Sequence, residues 1–96
     1  MTLDDALTRL EAHTGELRQF KVEALYVFGS VARGEAHDGS DVDLLVEFSE
    51  PVGLFAFARL QRFLEEILET RVDLATPAAL RDSMRDEVLE EAVRAA

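Results

Sequence analysis

Two short polar motifs in this sequence combine residue types and a spacing that suit chemistry on a phosphorylated ligand. Gly29 and Ser30 follow the apolar segment Leu25–Phe28, and after ten intervening residues Asp41 and Asp43 open a second apolar segment. Because side chains alternate along a strand, these two carboxylates are predicted to lie on one face. Mg²⁺ prefers oxygen ligands and is usually held by one or two carboxylates together with substrate phosphates. The motifs therefore predict a site that holds a nucleoside triphosphate through metal.

The Gly-Ser turn is the predicted contact for the triphosphate. Gly29 lets the backbone come close to a phosphate, and Ser30 presents a hydroxyl and an amide at the start of a predicted helix, where anions are favoured. Arg33, one turn further on, could reach a phosphate oxygen or clamp a carboxylate. An ordinary ion pair, at the surface or within the fold, is the alternative interpretation of Arg33.

Asp73 is the candidate for a third carboxylate. It stands alone on one face of a short predicted strand, whose other face carries Val72 and Leu74. Two metal ions about 3.5–4 Å apart stabilise the attacking and leaving oxygens of an in-line displacement, and three carboxylates are a natural ligand set for them. A surface position is the alternative for Asp73, and a simple turn is the alternative for Asp41. A turn explains the Asp41 and Asp43 pair less well, because uncompensated like charges on one face are destabilising.

The elements that must position these residues follow from the apolar periodicity and the turn residues. The predicted order is a helix from Thr2 to about Gln19, strand Val22–Phe28, one helical turn Ser30–Arg33 closed by Gly34, loop Glu35–Ser40, strand Asp41–Phe48, helix Leu54–Leu68, strand Arg71–Ala75, a turn at Thr76-Pro77 and a last helix Met84–Ala95. About three strands with flanking helices predict an α/β or α+β fold, in which helices cover one face of a small mixed sheet. The 96 residues are expected to form one domain, 1–96.

Composition narrows the classes of partner. The net charge of −10 argues against nonspecific nucleic-acid binding, which depends on Lys and Arg neutralising phosphates. It is compatible with divalent metal or with a basic protein partner, although most of the acids are expected to solvate helix surfaces. The chain contains no cysteine, so a disulfide and a cysteine-based zinc site are excluded. The acidic start of the chain is unlike a signal peptide, and no apolar run reaches the length of a membrane span, so we expect a cytoplasmic protein without membrane contact.

The two motifs resemble the signature of a known superfamily. Gly29-Ser30 followed after ten residues by Asp41-Val42-Asp43 is similar to the signature of the nucleotidyltransferases of the DNA polymerase beta superfamily. The longer sequence GSVARGEAHDGSDVDLLV resembles most its minimal branch, the MNT proteins. The segment VDLAT resembles the place of the family's third carboxylate, and EVLEEAV resembles its terminal helix, so the resemblance covers nearly the whole chain.

The resemblance implies a fold of the polymerase beta palm type and the transfer of a nucleoside monophosphate from a triphosphate. It gives Asp41 and Asp43 the role of binding both of two Mg²⁺ ions. Asp73 would bind one of the ions and help to activate the acceptor hydroxyl, while Gly29 and Ser30 would contact the triphosphate. MNT proteins are typically antitoxins beside HEPN-domain ribonuclease toxins, to which they are thought to attach AMP from ATP. The implied partner is therefore a HEPN-domain toxin, with which the chain would form a hetero-oligomer.

Two other functions remain open at this point. A binding-only antitoxin could cover the toxin with its acidic surface, since the net charge is −10 and the last predicted helix carries several acids. A small-molecule nucleotidyltransferase is less compatible with 96 residues, because the versions that resemble this motif carry a further domain for the acceptor. A template-directed polymerase is disfavoured, because the sequence has no basic stripe to hold a primer.

Overall fold

The structure, a computed structural model, describes residues 1–35, 41–80 and 82–96. The loop predicted over Glu35–Ser40 lies, apart from Glu35, outside the described residues. The helices and strands of the described part are α1 (Leu3–Glu11), α2 (Thr14–Gln19), β1 (Val22–Phe28), α3 (Gly29–Ala32), β2 (Val42–Phe48), α4 (Leu54–Leu68), β3 (Val72–Ala75), a 3₁₀ turn (Pro77–Ala79), α5 (Asp82–Glu91) and β4 (Val93–Arg94).

The strands form one mixed sheet in the order β3-β2-β1-β4. Strand β1 is antiparallel to both β2 and β4, whereas β2 and β3 are parallel. The parallel connection runs through α4, as a crossover between parallel strands requires. The predicted class, a small mixed sheet flanked by helices, is therefore confirmed.

The count of about three strands was too low, because the end of the chain adds a fourth. The last helix was predicted to continue to Ala95, but α5 ends at Glu91 and the chain turns into β4. The backbone explains the difference, because the free edge of β1 offers hydrogen-bonding groups that a longer helix would leave unpaired. Ala95 N–H donates to the Leu25 carbonyl at 2.7 Å, and Leu25 N–H donates to the Ala96 carbonyl at 3.1 Å.

The hydrophobic core lies between one face of the sheet and three helices. In α4, Leu60, Leu64 and Leu68 recur every fourth residue and are fully buried, as the predicted apolar stripe requires. Ala6 and Leu10 of α1 and Leu17 of α2 complete the helical side of the core. The sheet contributes Leu25, Val27, Val42, Leu44, Val46, Val72 and Leu74. The opposite face of the sheet is therefore the one that remains for polar chemistry.

The first predicted helix is divided into α1 and α2. Its start is as predicted, since the Thr2 hydroxyl oxygen accepts a hydrogen bond from the Asp5 N–H at 3.1 Å. The break follows Ala12, where the Thr14 hydroxyl donates to the Glu11 carbonyl at 2.9 Å. Side-chain hydrogen bonds of this type compete with the helical backbone ladder, which gives the physical reason for the interruption. Within the described ranges, no helix has both the length and the apolar character needed to cross a membrane.

Candidate active site

The three predicted carboxylates lie where β2 and β3 begin. Asp43 and Asp73 are register partners on these parallel strands, so their side chains are neighbours on the same face of the sheet. Their strand neighbours Val42 and Val72 point into the core instead. Asp41 immediately precedes β2, and its Oδ1 lies 3.2 Å from Nε of Arg71. The fold thus brings the acids from two separate parts of the sequence to one end of the sheet.

Helix α4 holds Asp73 in this position through the outer edge of β3. The Gln61 side-chain amide donates to the Val72 carbonyl at 2.9 Å, and the Val72 N–H donates to a Glu65 carboxylate oxygen at 3.1 Å. These bonds pair the backbone groups that an edge strand would otherwise leave free. Val72, the residue before Asp73, is therefore held to α4 through both its backbone N–H and its backbone carbonyl.

Gly29 is required by the packing of the turn against Asp43. Phe28, the last residue of β1, is the register partner of Asp43, so the chain turns directly beside the carboxylate. Gly29 has a backbone φ angle of +72°, which residues other than glycine rarely adopt. A Cβ at this position would also overlap the Asp43 carboxylate oxygen. The two sequence motifs are therefore in direct contact.

Among the three acids, Asp43 is the half-buried one, and its pKa is shifted by its surroundings. Partial burial raises the pKa of Asp43 above its ordinary value, and the charges of Asp73 and Asp41 raise it further. The Arg33 guanidinium acts in the opposite direction on this pKa. A carboxylate in this environment favours a nearby cation, because positive charge would offset both the desolvation and the repulsion.

The carboxylate oxygens of these acids are of the ligand type that Mg²⁺ prefers, although the acids do not form a complete coordination shell. Within residues 1–35, 41–80 and 82–96, no group of three or more His, Cys, Asp or Glu side chains is placed to hold a metal ion. Carboxylate oxygens are nevertheless the ligands of choice for Mg²⁺, which usually takes one or two from protein and others from water and phosphate. The glycine beside Asp43 leaves space that a side chain would fill.

Ser30 lies on α3, the single helical turn that follows β1, and Arg33 is the residue directly after this turn. This turn begins at Gly29, one residue earlier than predicted, and Gly34 follows it with φ +73°. The Ser30 carbonyl accepts a hydrogen bond from the Glu35 N–H at 2.8 Å. Arg33 forms the ion pairs that were its alternative interpretation: Nε donates to Glu35 at 3.1 Å and Nη1 donates to both carboxylate oxygens of Glu91 at 3.2 Å.

Glu91 is the residue at this site that the sequence reasoning missed. Its Oε1 accepts a hydrogen bond from the Gly29 N–H at 3.1 Å in addition to the bond from Arg33. A pocket of about 480 Å³, which we call the Gly29 pocket, is lined by Phe28, Gly29, Arg33, Asp43, Glu87, Val88 and Glu91. The only available signal was the apolar end of the chain, which pairs as β4 and thereby brings the end of α5 to the turn.

Comparisons with known proteins agree with this geometry. The nucleotidyltransferase domain family matches residues 10–95, which is most of the chain. The protein adenylyltransferase MntA of Thermococcus cleftensis is 44% identical over 94 residues, which are 97% of this chain and 95% of that protein. A solved minimal nucleotidyltransferase has a TM-score of 0.83 at 42% identity, and the match covers 97% of this chain and 95% of that one.

Solved toxin–antitoxin structures are similar as well. One with AMP-PNP has a TM-score of 0.73 at 25% identity, covering 90% of this chain and 72% of that one. A second is the tri-AMPylated HEPN toxin of Shewanella oneidensis in complex with MNT antitoxin. Its TM-score is 0.66 at 20% identity, with 94% of this chain and 71% of that one covered, so it shows a shared fold.

The sequence resemblance, the sheet topology and the family match lead to one conclusion. The family match extends well beyond half of the chain, and the adenylyltransferase relative matches along almost its full length. The resemblance stated from the Gly-Ser and Asp-Val-Asp motifs is thereby confirmed. The chain is a nucleotidyltransferase and belongs to the nucleotidyltransferase domain family, in its minimal (MNT) branch.

Proposed function

We propose that this enzyme transfers AMP from ATP to a hydroxyl group of a partner protein, and that it is the antitoxin of a HEPN/MNT toxin–antitoxin pair. The observation that carries the proposal is the direct contact between the Gly29 turn and Asp43, with Asp73 as the register partner of Asp43. A turn that could approach phosphate and a set of carboxylates thus share one end of the sheet. The MntA relative, a protein adenylyltransferase at 44% identity, supports the class of acceptor.

The roles of the residues follow from their chemistry. Asp41, Asp43 and Asp73 would hold Mg²⁺, two ions in the complete site, and this metal would supply charge stabilisation for the triphosphate and for the attacking and leaving oxygens. Gly29 and Ser30 would contact the phosphates through the backbone amide and the hydroxyl. Arg33 would add a positive charge beside them. Asp73, which is exposed whereas its register partner Asp43 is half-buried, would face the acceptor hydroxyl and help to activate it.

The proposed partner is a HEPN-domain toxin. Solved relatives with this fold are antitoxins in toxin–antitoxin structures, one of which contains AMP-PNP and another an AMPylated HEPN toxin. The acidic balance of this chain, −10, would favour a partner with a basic surface. We therefore propose a hetero-oligomer with the toxin, formed in the cytoplasm, where ATP is available.

Transfer of labelled AMP to the partner tests the proposal. The wild-type chain is incubated with α-labelled ATP, Mg²⁺ and the co-encoded toxin, and label on the toxin is followed by gel electrophoresis and mass spectrometry. We expect transfer by wild type and by Glu66→Ala, a matched control on an exposed part of α4. Asp41→Ala and Asp43→Ala should lose at least about 100-fold of the rate, because metal and phosphate binding both depend on them. Transfer that is absent from wild type, or equal in the aspartate variants, would contradict the proposed function.

A binding-only antitoxin is the second candidate, and the net charge of −10 favours it. In that case the acidic surface alone would neutralise the toxin, and the carboxylates of the site would contribute charge instead of chemistry. Growth of cells that express the toxin together with Asp43→Ala separates the two. Full rescue by Asp43→Ala would favour binding, whereas rescue by wild type alone would favour adenylylation.

A further inference from the structure

The contact between Glu91 and Gly29 is a consequence of how the last strand pairs with the first. In the antiparallel ladder of β1 and β4, Tyr26 is the register partner of Arg94 and Val27 is the partner of Val93. Gly29, the first residue of α3, directly follows β1, and Glu91, the last residue of α5, stands two positions before β4. The Gly29 N–H donates to Glu91 Oε1 at 3.1 Å. The contact therefore lies just beyond the end of the β1–β4 pair, which holds the two residues close together.

One carboxylate thus occupies two of the three groups proposed to bind phosphate, the Gly29 amide and the Arg33 guanidinium, and leaves the Ser30 hydroxyl. Glu91 accepts from the Gly29 backbone N–H and, with both of its oxygens, from Nη1 of Arg33. The Glu91 side chain is 27% exposed, and its bond to the Gly29 amide is partly buried, whereas its bonds to Arg33 lie at the surface. A carboxylate and a phosphate oxygen accept the same charge-assisted hydrogen bonds, and they cannot occupy the same donors at once.

We propose that Glu91 is a built-in competitor of the nucleotide, whose carboxylate occupies the phosphate position at Gly29 and Arg33 and must rotate away when a triphosphate binds. This inference rests on the proposed function, because it concerns the same triphosphate site. The backbone of residue 91 need not move for this rotation. It is fixed by its neighbours, since Ala92 N–H donates to the Val88 carbonyl at 2.9 Å and Val93 pairs with Val27. Rotation of the Glu91 side chain is sufficient. Glu91 thereby lowers the affinity for the nucleotide.

Removal of the competing carboxylate should strengthen nucleotide binding. Calorimetry measures the dissociation constant for Mg²⁺ and ATP with wild type, Glu91→Gln and Glu91→Ala. We expect both variants to bind about tenfold more tightly, the size of effect that one charge-assisted hydrogen bond supplies. Two variants are used because the glutamine can still accept the Gly29 bond, whereas the alanine cannot. Inorganic triphosphate with Mg²⁺ should show the same gain, because the competition concerns phosphate and not the base.

Two neighbouring glutamates provide matched controls for the charge change. Glu90→Gln alters the exposed residue directly before Glu91 and should leave the affinity unchanged. Glu87→Gln removes a charge that lines the Gly29 pocket but makes no hydrogen bond to Gly29 or Arg33, and should change the affinity by less than about threefold. An equal gain for Glu87→Gln would overturn the inference, because general repulsion would then explain the effect.

The opposite sign would also overturn the inference. If Glu91 merely supports the turn, Glu91→Gln and Glu91→Ala will bind the triphosphate as tightly as wild type or less tightly. Binding by wild type that the Glu91 variants fail to improve therefore contradicts the inference and leaves the proposed function standing. Absence of triphosphate binding from every form contradicts the proposed function, and the inference with it.

The amide of Gly29 gives a readout that does not depend on affinity. The chain has five glycines, so their backbone amides can be resolved and assigned by NMR. The Gly29 amide proton should move upfield in Glu91→Ala, because it loses a charged acceptor, whereas the Gly15 amide should not move. Addition of Mg²⁺ and ATP should bring the Gly29 amides of wild type and variant to the same position. A Gly29 amide that remains different after saturation would contradict the displacement of Glu91.

Discussion

Gly29 and Gly34 have almost the same backbone conformation but different surroundings. Their φ angles are +72° and +73°, so an alanine is strained at either position. A Cβ at Gly29 would meet the Asp43 carboxylate, whereas a Cβ at Gly34 would meet no described atom within 4 Å. The pair therefore separates the cost of the left-handed backbone from the cost of the contact with the site.

Gly29→Ala should be the more damaging of the two substitutions. We expect Gly34→Ala to lower the free energy of unfolding by about 1–2 kcal/mol, the usual cost of this conformation. Gly29→Ala should cost at least about 1 kcal/mol more, because Asp43 must shift as well. Urea denaturation measures both values, and calorimetry with Mg²⁺ and ATP should show a loss of binding for Gly29→Ala alone. Equal destabilisation would mean that the turn can move away from Asp43.

The raised pKa of Asp43 makes stability depend on pH in a defined direction. Because burial and the charges of Asp73 and Asp41 raise the pKa above its ordinary value of 3.8, the folded chain binds this proton more readily than the unfolded chain. The contribution to stability is therefore lost as the pH rises from below that value through the raised pKa. Partial exposure of Asp43 limits the size of the effect through solvent screening.

Asp43→Asn should be more stable than wild type when no divalent cation is present. At pH 7 the variant lacks the buried, repelled charge, so its Tm should be higher. Below the ordinary pKa the Asp43 carboxyl is protonated in both states, and the difference between variant and wild type should shrink toward zero. Thermal unfolding in a chelating buffer across this range measures the difference. A difference in Tm between variant and wild type that does not change with pH would show that the charge of Asp43 is not the cause of the difference.

At the scale of elements, α4 serves both the core and the site. Its buried stripe packs on the sheet, while Gln61 and Glu65 on the same helix bind the backbone of Val72 beside Asp73. A loss of packing at α4 is therefore expected to loosen the position of the third carboxylate. This connection explains why a helix on the core side of the sheet can affect the polar side.

Leu64→Ala tests the contribution of the buried stripe. Leu64 is fully buried, so its truncation should lower the free energy of unfolding by about 2–5 kcal/mol. Leu54 begins the same helix and is 79% exposed, so Leu54→Ala should change the free energy of unfolding by less than about 0.5 kcal/mol. Chemical denaturation of the two variants measures both values. Similar losses at the two positions would mean that α4 packs differently from the structure described here.

At the scale of the whole molecule, the site should couple ligand binding to stability. Anything that binds the folded chain alone stabilises it by mass action, by about 2.7 kcal/mol when the free ligand is at 100 times its dissociation constant. For a domain of this size each kcal/mol raises Tm by about 4–8 °C. The carboxylates of β2 and β3 would repel less with metal bound, so magnesium by itself should also contribute.

Mg²⁺ and ATP are therefore expected to raise Tm by about 10 °C or more under those conditions. Asp41→Asn should reduce the gain, and a chelator should abolish the part that depends on metal. Thermal shift measurements with Mg²⁺ alone, ATP alone and both together separate the contributions. An unchanged response of Asp41→Asn to Mg²⁺ would argue strongly against Asp41 as a ligand. Glu66→Gln, which neutralises a carboxylate exposed on α4 without a change of shape, is the matched control.

Several features of this protein were determined locally and could be predicted from the sequence alone. The Gly-Ser turn, the strand that follows Asp41 and the apolar stripe of α4 each depend on residues within one or two turns or a few strand positions. Alternation and helical periodicity therefore sufficed for them. The resemblance of the two motifs to nucleotidyltransferases also needed only their residue types and their spacing.

Other features depended on contacts between distant parts of the chain, and only the tertiary structure decided them. The register that pairs Asp43 with Asp73 joins strands that α4 separates in sequence. The pairing of β4 with β1 uses backbone groups, which leave no periodic pattern in the side chains, so the last residues were assigned to a helix instead. Because of that pairing, the end of α5 lies beside the turn, where Glu91 binds Gly29 and Arg33. From the sequence alone, Glu91 was only one of several acids in the last helix.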